Sequence, residues 1–350
     1  MITRLEATSN ASATSEPRYR LLELIHGYRV TQVLYTAASL GIAEALRSGP
    51  RGARDLAATV GAHEASLVRL LNALISLGLV ETGSDGRYDL THTGRLLDGQ
   101  NPGSVRAVIL YEGVQSYEHW RELVDSVRTG QNVYQRRYGV DAWTYRRAKD
   151  REAEKLFDSA MQEHSASRVA AVVDAYDFSG LGTIIDVGGG RGSLLAGILE
   201  AYPTARGVLF DQAAVIAGAN AVLAASGVAE RCRVVGGSFF ESVPPGGDAY
   251  ILSVVIHDWD DEPASVILGN CRRAMPTSSR LLLIERVLPD RPAASHLTSY
   301  LNDLNMLHSL SGRERSEAEY RTLLARSGFR LARVVATQSP FAVVEAWPLV

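Results

Sequence analysis

The chain has 350 residues, of which 46% are hydrophobic and 21% charged, and its formal net charge is −3. This is the composition of an ordinary globular protein, and two domains are expected at this length. The charge balance excludes a strongly basic nucleic-acid-binding surface, and no apolar run reaches the ~18 residues of a membrane helix. Two distant cysteines support neither disulfides nor a zinc site. We therefore expect a cytoplasmic protein with no nucleic-acid or membrane partner.

The first part of the chain is predicted to be helical. Residues 1–17 are polar and rich in Ser and Thr, which predicts a disordered tail. The stretch LLELIHGYRVTQVLYTAASLGIAEAL predicts one long amphipathic helix, and ARDLAATVGAHEASLVRLLNALISLGLVE predicts two more, with a stop near Gly61. VETGSDGRYDLT then predicts a hairpin around a Ser-Asp-Gly turn. Together these elements predict a winged-helix domain over residues 18–110.

A winged helix raises the alternative of DNA binding, which uses a basic recognition helix. The corresponding segment, EASLVRLLNALISLGL, has one Arg and is apolar on most of its faces. It therefore suits burial in a core or against a partner subunit better than contact with phosphate. Residues 111–178 are predicted to form a helical linker that contributes to a substrate pocket. Arginines are frequent between Arg136 and Arg151, but interleaved acids favour a solvated helix face over an anion-binding patch.

From residue 179 to residue 350, strands and helices alternate. The predicted strands are TIIDVGGG, GVLFDQ, RCRVVGGSFF, DAYILSVVIHDW and RLLLIERVL. The predicted helices are SLLAGILEAYP, AAVIAGANAVLAASG, DEPASVILGNCRRAM and SEAEYRTLLARSGF, and the chain ends with an antiparallel pair, RLARVVATQ and FAVVEAWPL. Apolar strands separated by amphipathic helices predict the α/β class, a Rossmann-like doubly wound domain with a closing antiparallel hairpin. Ligands of such folds bind at the carboxyl ends of the strands.

A glycine-rich loop follows the first of these strands, in IIDVGGGRGSLLAG. One or two glycines would suit a tight turn without a ligand, whereas four in five positions indicate that a ligand approaches the backbone. The spacing of Gly188, Gly190 and Gly192 differs from the G-x-G-x-x-G dinucleotide fingerprint, and a Walker A ending is absent. Asp211 ends the next strand, where a carboxylate can accept hydrogen bonds from both ribose hydroxyls. With Asp186 upstream, the loop resembles the S-adenosylmethionine loop of class I methyltransferases, in which the glycines would make room for the methionine part.

The fourth strand is expected to run directly into His257, in the motif HDWDD. A His at the carboxyl end of a parallel strand is well placed for chemistry, while Asp260 or Asp261 caps the next helix. Methyl transfer to a phenol requires loss of the hydroxyl proton, which an imidazole can accept. A carboxylate on the far ring nitrogen would fix the tautomer. Glu285, which ends LLLIE, and Glu314, in SGRERS, are the candidates for that carboxylate.

The motifs DVGGGRG, LFD, HDWDD, LLLIE and GRERSEAEY follow the winged-helix unit in this order. The chain thus resembles the caffeate and hydroxyindole O-methyltransferase family, and most of all its actinobacterial members that tailor aromatic natural products in antibiotic and other secondary metabolism. The resemblance implies that S-adenosylmethionine is the cofactor, converted to S-adenosylhomocysteine, and that residues 179–350 bind it. It also implies a homodimer through the N-terminal domain and a catalytic set of His257, Glu285 and Glu314. The implied cofactor-binding residues are Asp186, Gly188, Gly190, Asp211, Gly237, Ser238, Phe239 and Ser253.

Two of these positions depart from the family pattern. Many members have an acid where this chain has Ser238, and a serine can still form one hydrogen bond to adenine. Many also have a basic residue four positions before the His, where this chain has Ser253, which puts that cofactor contact in doubt.

The acceptor pocket is expected to include Trp143, Phe157, Met161, Asp258, Asn302, Met306 and His308. A buried apolar residue on a helix is more often part of a core, so the four apolar members also have a purely structural interpretation. His308 stands where the family usually has an apolar or small residue. His257 and His308 facing each other would suit a divalent or ferric metal, and a few relatives methylate a carbon of an α-keto acid with such a metal. The sequence therefore favours O-methylation of a phenolic or enolic molecule without a metal, with metal-assisted C-methylation of a keto acid as the alternative.

Overall fold

The computed structural model describes residues 17–149 and 151–349, so residues 1–16 of the predicted disordered tail lie outside the described part of the chain. The chain divides into two compact units: Met1–Arg121 with Asp150–His164, and Glu122–Lys149 with Ser165–Val350. The segment predicted as one linker, residues 111–178, is thus divided between the two units. None of the helices in the described ranges combines the length and the apolarity that a bilayer crossing requires.

The first unit is helical with one small hairpin. Its helices are α1 (Pro17–Ile25), α2 (Gly27–Leu40), α3 (Ile42–Leu46), α4 (Ala53–Val60), α5 (Glu64–Ser76), α6 (Arg106–Tyr111) and α7 (Tyr117–Trp120), with a π-helical turn at Glu112–Ser116. The strands are β1 (Val80–Thr82) and β2 (Tyr88–Leu90), which pair antiparallel. The predicted two helices, the stop at Gly61 and the hairpin are confirmed, since Gly61 has a left-handed φ of 67° and closes α4.

The prediction of one long N-terminal helix is wrong. The chain breaks at His26 and again at Gly41, whose φ of 68° is left-handed and ends α2. Its backbone N–H bonds to the carbonyls of Ala37 and Ala38, which satisfies the helix end. The apolar periodicity continues across both breaks, and for that reason the pattern alone did not reveal them.

The second unit contains a mixed sheet with helices on both faces. Its first four helices are α8 (Leu123–Thr129), α9 (Val133–Tyr138), α10 (Ala142–Lys149) and α11 (Arg151–Ala175), the last of which is shared with the first unit. The later helices are α12 (Ser193–Ala201), α13 (Ala219–Ala225), α14 (Asp261–Ala274), α15 (Leu297–Leu310) and α16 (Glu317–Arg326). The strands are β3 (Thr183–Val187), β4 (Arg206–Asp211), β5 (Cys232–Gly236), β6 (Ala249–Ser253), β7 (Arg280–Glu285), β8 (Val287–Leu288), β9 (Arg315–Ser316), β10 (Phe329–Ala336) and β11 (Ala342–Pro348).

The main sheet has the order β10-β11-β7-β6-β3-β4-β5. Strands β3 to β7 are parallel, β11 runs antiparallel to β7, and β10 closes the sheet antiparallel to β11. This confirms the predicted doubly wound sheet with its closing hairpin. Apolar side chains cover both faces, for example Ile185 and Leu283 on one face and Ile184 and Leu282 on the other. The carboxyl ends of the parallel strands therefore meet at one edge, where the site residues lie.

Candidate active site

His257 lies at the carboxyl end of β6, but not where the sequence placed it. The strand ends at Ser253, and Val254 then turns the chain with a φ of 52°, a left-handed conformation that is unusual for a β-branched residue. His257 follows in a short 3₁₀ turn, Ile256–Asp258. The expectation that the strand runs directly into His257 is therefore wrong, because the backbone leaves the ladder to bring the imidazole back over the sheet edge.

Three carboxylates surround the ring of His257, whose side chain is 11% exposed. Its Nδ1 lies 3.2 Å from Oε1 of Glu314 and 3.3 Å from Oε2 of Glu285, and its Nε2 lies 3.3 Å from Oδ1 of Asp258. The structure thus brings together the three residues predicted as catalytic. Because an ionised carboxylate only accepts hydrogen bonds, Glu314 favours a proton on Nδ1, and Asp258 favours the second proton of the imidazolium on Nε2, which is the nitrogen that can exchange its proton with a substrate.

The two glutamates make different contacts. Glu314 has hydrogen-bond geometry to Nδ1 of His257, and the same oxygen accepts a bond from the side-chain amide of Asn302. Glu285 instead uses Oε1 to accept from the backbone N–H groups of Val255 and Ile256, at 3.1 and 2.8 Å. Glu314 therefore orients the ring, and Glu285 anchors the backbone that carries it.

The carboxylates also set the proton affinity of the site. Burial alone would lower the pKa of His257, but the charges and hydrogen bonds of Glu285, Asp258 and Glu314 outweigh it and hold the pKa well above its ordinary value. Burial, supported by the charges of Glu314 and Asp258, raises the pKa of Glu285 to about 7 despite the opposing effect of His257. The imidazole is consequently a stronger base than a solvated histidine.

A second loop is docked onto the one that carries His257, and the sequence analysis singled out only its Glu314. The N–H of Arg313 donates to the His257 carbonyl at 2.9 Å. Arg315 is fully buried and donates to the carbonyls of Ile256 and Trp259 and to the carboxylate of Asp261. The signal for this arginine was in the sequence, since it stands next to Glu314 in GRERS.

The glycine loop has two structural reasons for its composition. Gly188, Gly190 and Gly192 have φ values of 70°, 61° and 85°, which disfavour any side chain. Gly189 is needed for packing instead, because a Cβ there would lie 2.5 Å from the Asp186 carboxylate. Of the four, only Gly190 has no atom of the described chain within 4 Å of a Cβ position.

The residues predicted to bind the cofactor lie around this loop. Oδ2 of Asp211 accepts from the N–H of Gly190 at 2.9 Å, so the predicted ribose carboxylate also holds the loop. Asp186 is fully buried, and neither of its oxygens has a hydrogen-bond partner within the described residues. Burial, then the charge of Asp211, raises its pKa to about 7.

The segment after β5 and the end of β6 supply the rest of the residues predicted to bind the cofactor. The N–H of Gly237 donates to the Asp211 carbonyl, and Ser238 follows it. The half-buried Phe239 ring would lie 3.3 Å from a Cβ at Gly188, so it borders the loop. The hydroxyl of Ser253 is buried and, like Asp186, finds no partner in the part of the chain that is described. Buried polar atoms without protein partners, beside a loop of left-handed glycines, fit a polar ligand such as the predicted cofactor.

The residues predicted for the acceptor pocket fall into both units. In the second unit, Trp143 lies 5.6 Å from the Arg146 guanidinium, Asp258 and Asn302 contact the catalytic set, and Met306 is buried. In the first unit, the Phe157 ring packs edge-on against Tyr111 at 5.5 Å, and Met161 is 37% exposed.

His308 is fully buried, and its Nδ1 lies 3.0 Å from the hydroxyl of Ser126. That hydroxyl also accepts from Arg136, which pairs with Glu122. The expected solvated face is therefore wrong for Arg136, whose side chain is only 15% exposed. Among the described residues, the set of ligating side chains close enough to share a metal is His257, Glu285 and Glu314, and His308 does not belong to it.

Comparisons with known proteins show the family to which the chain belongs. A family model described as the O-methyltransferase domain matches residues 120–330, and one described as the O-methyltransferase dimerisation domain matches residues 22–98. The chain is 42% identical to phenazine O-methyltransferase of Lysobacter antibioticus, over 94% of this chain and 96% of that protein. It is 37% identical to mitomycin biosynthesis 6-O-methyltransferase of Streptomyces lavendulae, over 89% and 88% of the two chains.

Among solved structures, human N-acetylserotonin methyltransferase in complex with S-adenosylmethionine matches with a TM-score of 0.88 at 30% identity, over 97% of this chain and 100% of that one. Sequence and structure thus point to the same family as the ordered motifs and the His257 site. The chain therefore belongs to the O-methyltransferase family, and it is an S-adenosylmethionine-dependent methyltransferase.

Proposed function

We propose that this enzyme methylates a hydroxyl group of a small aromatic natural-product intermediate, with His257 as the general base. The observation that carries the proposal is the buried His257 ring, oriented through Nδ1 by Glu314, with Nε2 on the other side of the ring. Relatives named for phenazine, mitomycin, 3-amino-4-hydroxybenzoate and a dihydroxynaphthoate support an aromatic acceptor.

The chemistry follows from the proton affinity of the site. A neutral hydroxyl is a poor nucleophile, so its proton must leave as the oxygen attacks. Nε2 of His257 would take that proton, and its raised pKa makes the transfer from a phenol, whose pKa is about 10 by analogy with Tyr, less unfavourable. Glu314 then stabilises the imidazolium that forms. S-adenosylmethionine, when bound, supplies the methyl group.

The residues proposed to hold the cofactor are those around the glycine loop: Asp186, Gly188, Gly190, Asp211, Gly237, Ser238, Phe239 and Ser253. The buried atoms of Asp186 and Ser253 that have no partner among the described residues, and the left-handed glycines, support this assignment. For the acceptor, the proposed contacts in the second unit are Trp143, Asp258, Asn302, Met306 and His308. The sequence analysis also predicts Phe157 and Met161 as acceptor residues, and both belong to the first unit.

The test is His257→Gln, which keeps a polar side chain but removes the base. Turnover of hydroxylated phenazines, benzoates and naphthoates, followed by mass spectrometry, should fall about 10²- to 10⁴-fold. The dissociation constant for S-adenosylmethionine should change less than about threefold. His92→Gln, at an exposed histidine of the first unit, is the matched control and should behave like the wild type. Unchanged turnover in His257→Gln, or an equal loss of cofactor binding, would show that His257 is not the base.

We further propose that the enzyme is a homodimer. Helix α1 has nine residues, none of which is buried, and several of its apolar side chains are exposed. An isolated helix of this length is marginal in water, so it needs a partner surface. The match of residues 22–98 to a dimerisation domain supports a second copy of the chain as that partner.

A further inference from the structure

Arg168, on α11, is a buried cation that the proposed mechanism does not use. Its side chain is 7% exposed, and Nη2 donates to the Ser165 hydroxyl at 2.9 Å. The guanidinium carbon lies 5.1 Å from the centre of the Phe341 ring. Its Nε–H is buried and has no acceptor among the described residues. A buried donor without an acceptor is costly, which indicates that an acceptor comes from elsewhere.

The surroundings leave the charge of Arg168 incompletely balanced. Burial lowers its pKa to about 10, while the charges of Glu285 and Asp186 act in the opposite direction. Neither carboxylate forms an ion pair with Arg168 within the described part of the chain. At neutral pH the side chain therefore remains cationic, and an anion beside it would be stabilised.

The contact with Phe341 locates Arg168 relative to the strands, because Phe341 directly precedes Ala342, which pairs with Glu285 at the end of β7. Asp186 lies near the end of β3, just before the glycine loop, and Glu285 ends β7. Strand β6 runs between these two strands and ends at Ser253, whose buried hydroxyl is unpaired in the described structure. Arg168 thus belongs to a group of unsatisfied polar atoms at the carboxyl ends of three adjacent strands, where ligands of this fold class bind.

We propose that Arg168 binds the α-carboxylate of the amino-acid part of S-adenosylmethionine. A guanidinium fork matches a carboxylate in charge and geometry, and its free Nε–H provides a donor for it. The amino-acid end of the cofactor also carries an ammonium ion, for which the Asp186 carboxylate is a suitable acceptor. The inference rests on the cofactor of the proposed function, and it is independent of the acceptor.

The experiment compares two ligands that differ only in this carboxylate. Binding of S-adenosylmethionine and of decarboxylated S-adenosylmethionine is measured by calorimetry on the full chain and on Arg168→Gln. The wild type should bind the complete cofactor about 10- to 100-fold more tightly than the decarboxylated one. Arg168→Gln should lose most of this preference, by weakening the complete cofactor and leaving the decarboxylated one within about threefold. Arg168→Lys, which keeps the charge without the fork, should recover part of it.

Arg280→Gln is the matched control, because Arg280 is also partly buried and lies 5.3 Å from the centre of an aromatic ring, Trp347, but starts β7 at the end opposite Glu285. It should leave the preference between the two ligands unchanged. Arg286 is the competing candidate, since it lies 4.6 Å from the centre of the same Phe341 ring and its buried Nη1 has no partner among the described residues. Equal weakening of both ligands in Arg168→Gln would mean a structural role and overturn the proposal. The proposal would also be overturned if only Arg286→Gln lost the preference. The same holds if Arg168→Gln raised the KM for a carboxylated acceptor and left cofactor binding unchanged. If the wild type binds neither ligand, the cofactor assignment itself fails, which is a separate result.

Discussion

At the scale of single residues, the site depends on one imidazole that three carboxylates keep basic. Glu314 is the carboxylate with hydrogen-bond geometry to Nδ1 of His257, so it contributes both orientation and charge. Glu285 contributes charge, but its Oε1 accepts hydrogen bonds from backbone N–H groups and not from the ring. Their effects on the pH dependence of catalysis are therefore separable.

Glu314→Gln removes a charge that favours the imidazolium, so the pKa of His257 should fall. Since only the neutral ring can accept a proton, the acid limb of kcat/KM against pH should move to lower pH. The maximum rate should also fall, because the base becomes weaker. Measurement of kcat/KM between pH 5.5 and 9 tests this, with the exposed Glu317→Gln on α16 as control. An unmoved limb, or one moved to higher pH, would contradict the prediction.

Two glycines of the glycine loop are required for different physical reasons, packing at Gly189 and backbone conformation at Gly190. Gly189→Ala places a Cβ 2.5 Å from the Asp186 carboxylate and 2.6 Å from Leu209, whereas Gly190→Ala meets open space but keeps a left-handed φ. We expect Gly189→Ala to lower the free energy of unfolding by more than about 2 kcal/mol and Gly190→Ala by about 1–2 kcal/mol. Although it costs less stability, Gly190→Ala should weaken S-adenosylmethionine binding more than Gly189→Ala does. Denaturant unfolding and calorimetry measure both quantities, and the reverse order of stabilities would refute this division.

At the scale of elements, the proposed catalytic site depends on the docking of two loops. The 3₁₀ turn Ile256–Asp258 carries the proposed base, and the segment before β9 carries Glu314. Backbone and arginine contacts join them, and Ser316 then starts α16 with a capping box to Glu319. The distance between His257 and Glu314 is therefore set by backbone contacts as well as by the side chains themselves.

Gly312→Ala tests this docking. A Cβ at residue 312 would lie 2.0 Å from the His257 carbonyl oxygen and 2.5 Å from the Asp258 carbonyl carbon, so the loops must separate. We expect kcat to fall at least about tenfold, because displacement of the Glu314 carboxylate misorients the base. Gly269→Ala, on α14, is the control: a Cβ there meets only the flexible Arg273 side chain at 3.7 Å, and alanine suits a helix. If Gly312→Ala retains wild-type kcat and thermal midpoint, the docking contact is not needed.

At the scale of the whole molecule, helix α1 has an apolar face that no described part of the chain buries. Leu21 and Ile25 lie on one face of this helix and are 62% and 61% exposed. In a symmetric dimer each substitution acts twice, so the double variant Leu21→Glu/Ile25→Glu should shift the enzyme from dimer to monomer. Burial of each side chain contributes about 1.5–3 kcal/mol, which predicts at least a 100-fold rise in the dissociation constant.

Analytical ultracentrifugation over a range of concentrations measures this shift. Val266→Glu, at a residue of α14 that is 48% exposed, should remain dimeric. A wild type that sediments as a monomer, or a double variant with unchanged mass, would exclude α1 from a dimer interface.

The sequence by itself determined the family, the order of the seven strands of the main sheet with four of the helices, and the candidate catalytic residues. It did not predict helix α15 (Leu297–Leu310) or the short strands β8 and β9. Alternating apolar strands and amphipathic helices are local patterns, and His257, Glu285 and Glu314 stand at strand ends or in short motifs that such patterns locate. Only the tertiary structure distinguished the roles of the two glutamates: Glu314 contacts the His257 ring, and Glu285 accepts from the backbone that carries it. It also revealed the buried Arg168 and Arg315, the contact of His308 with Ser126, and the breaks at His26 and Gly41. These features depend on contacts between segments distant in the chain and on backbone angles, which side-chain periodicity does not encode.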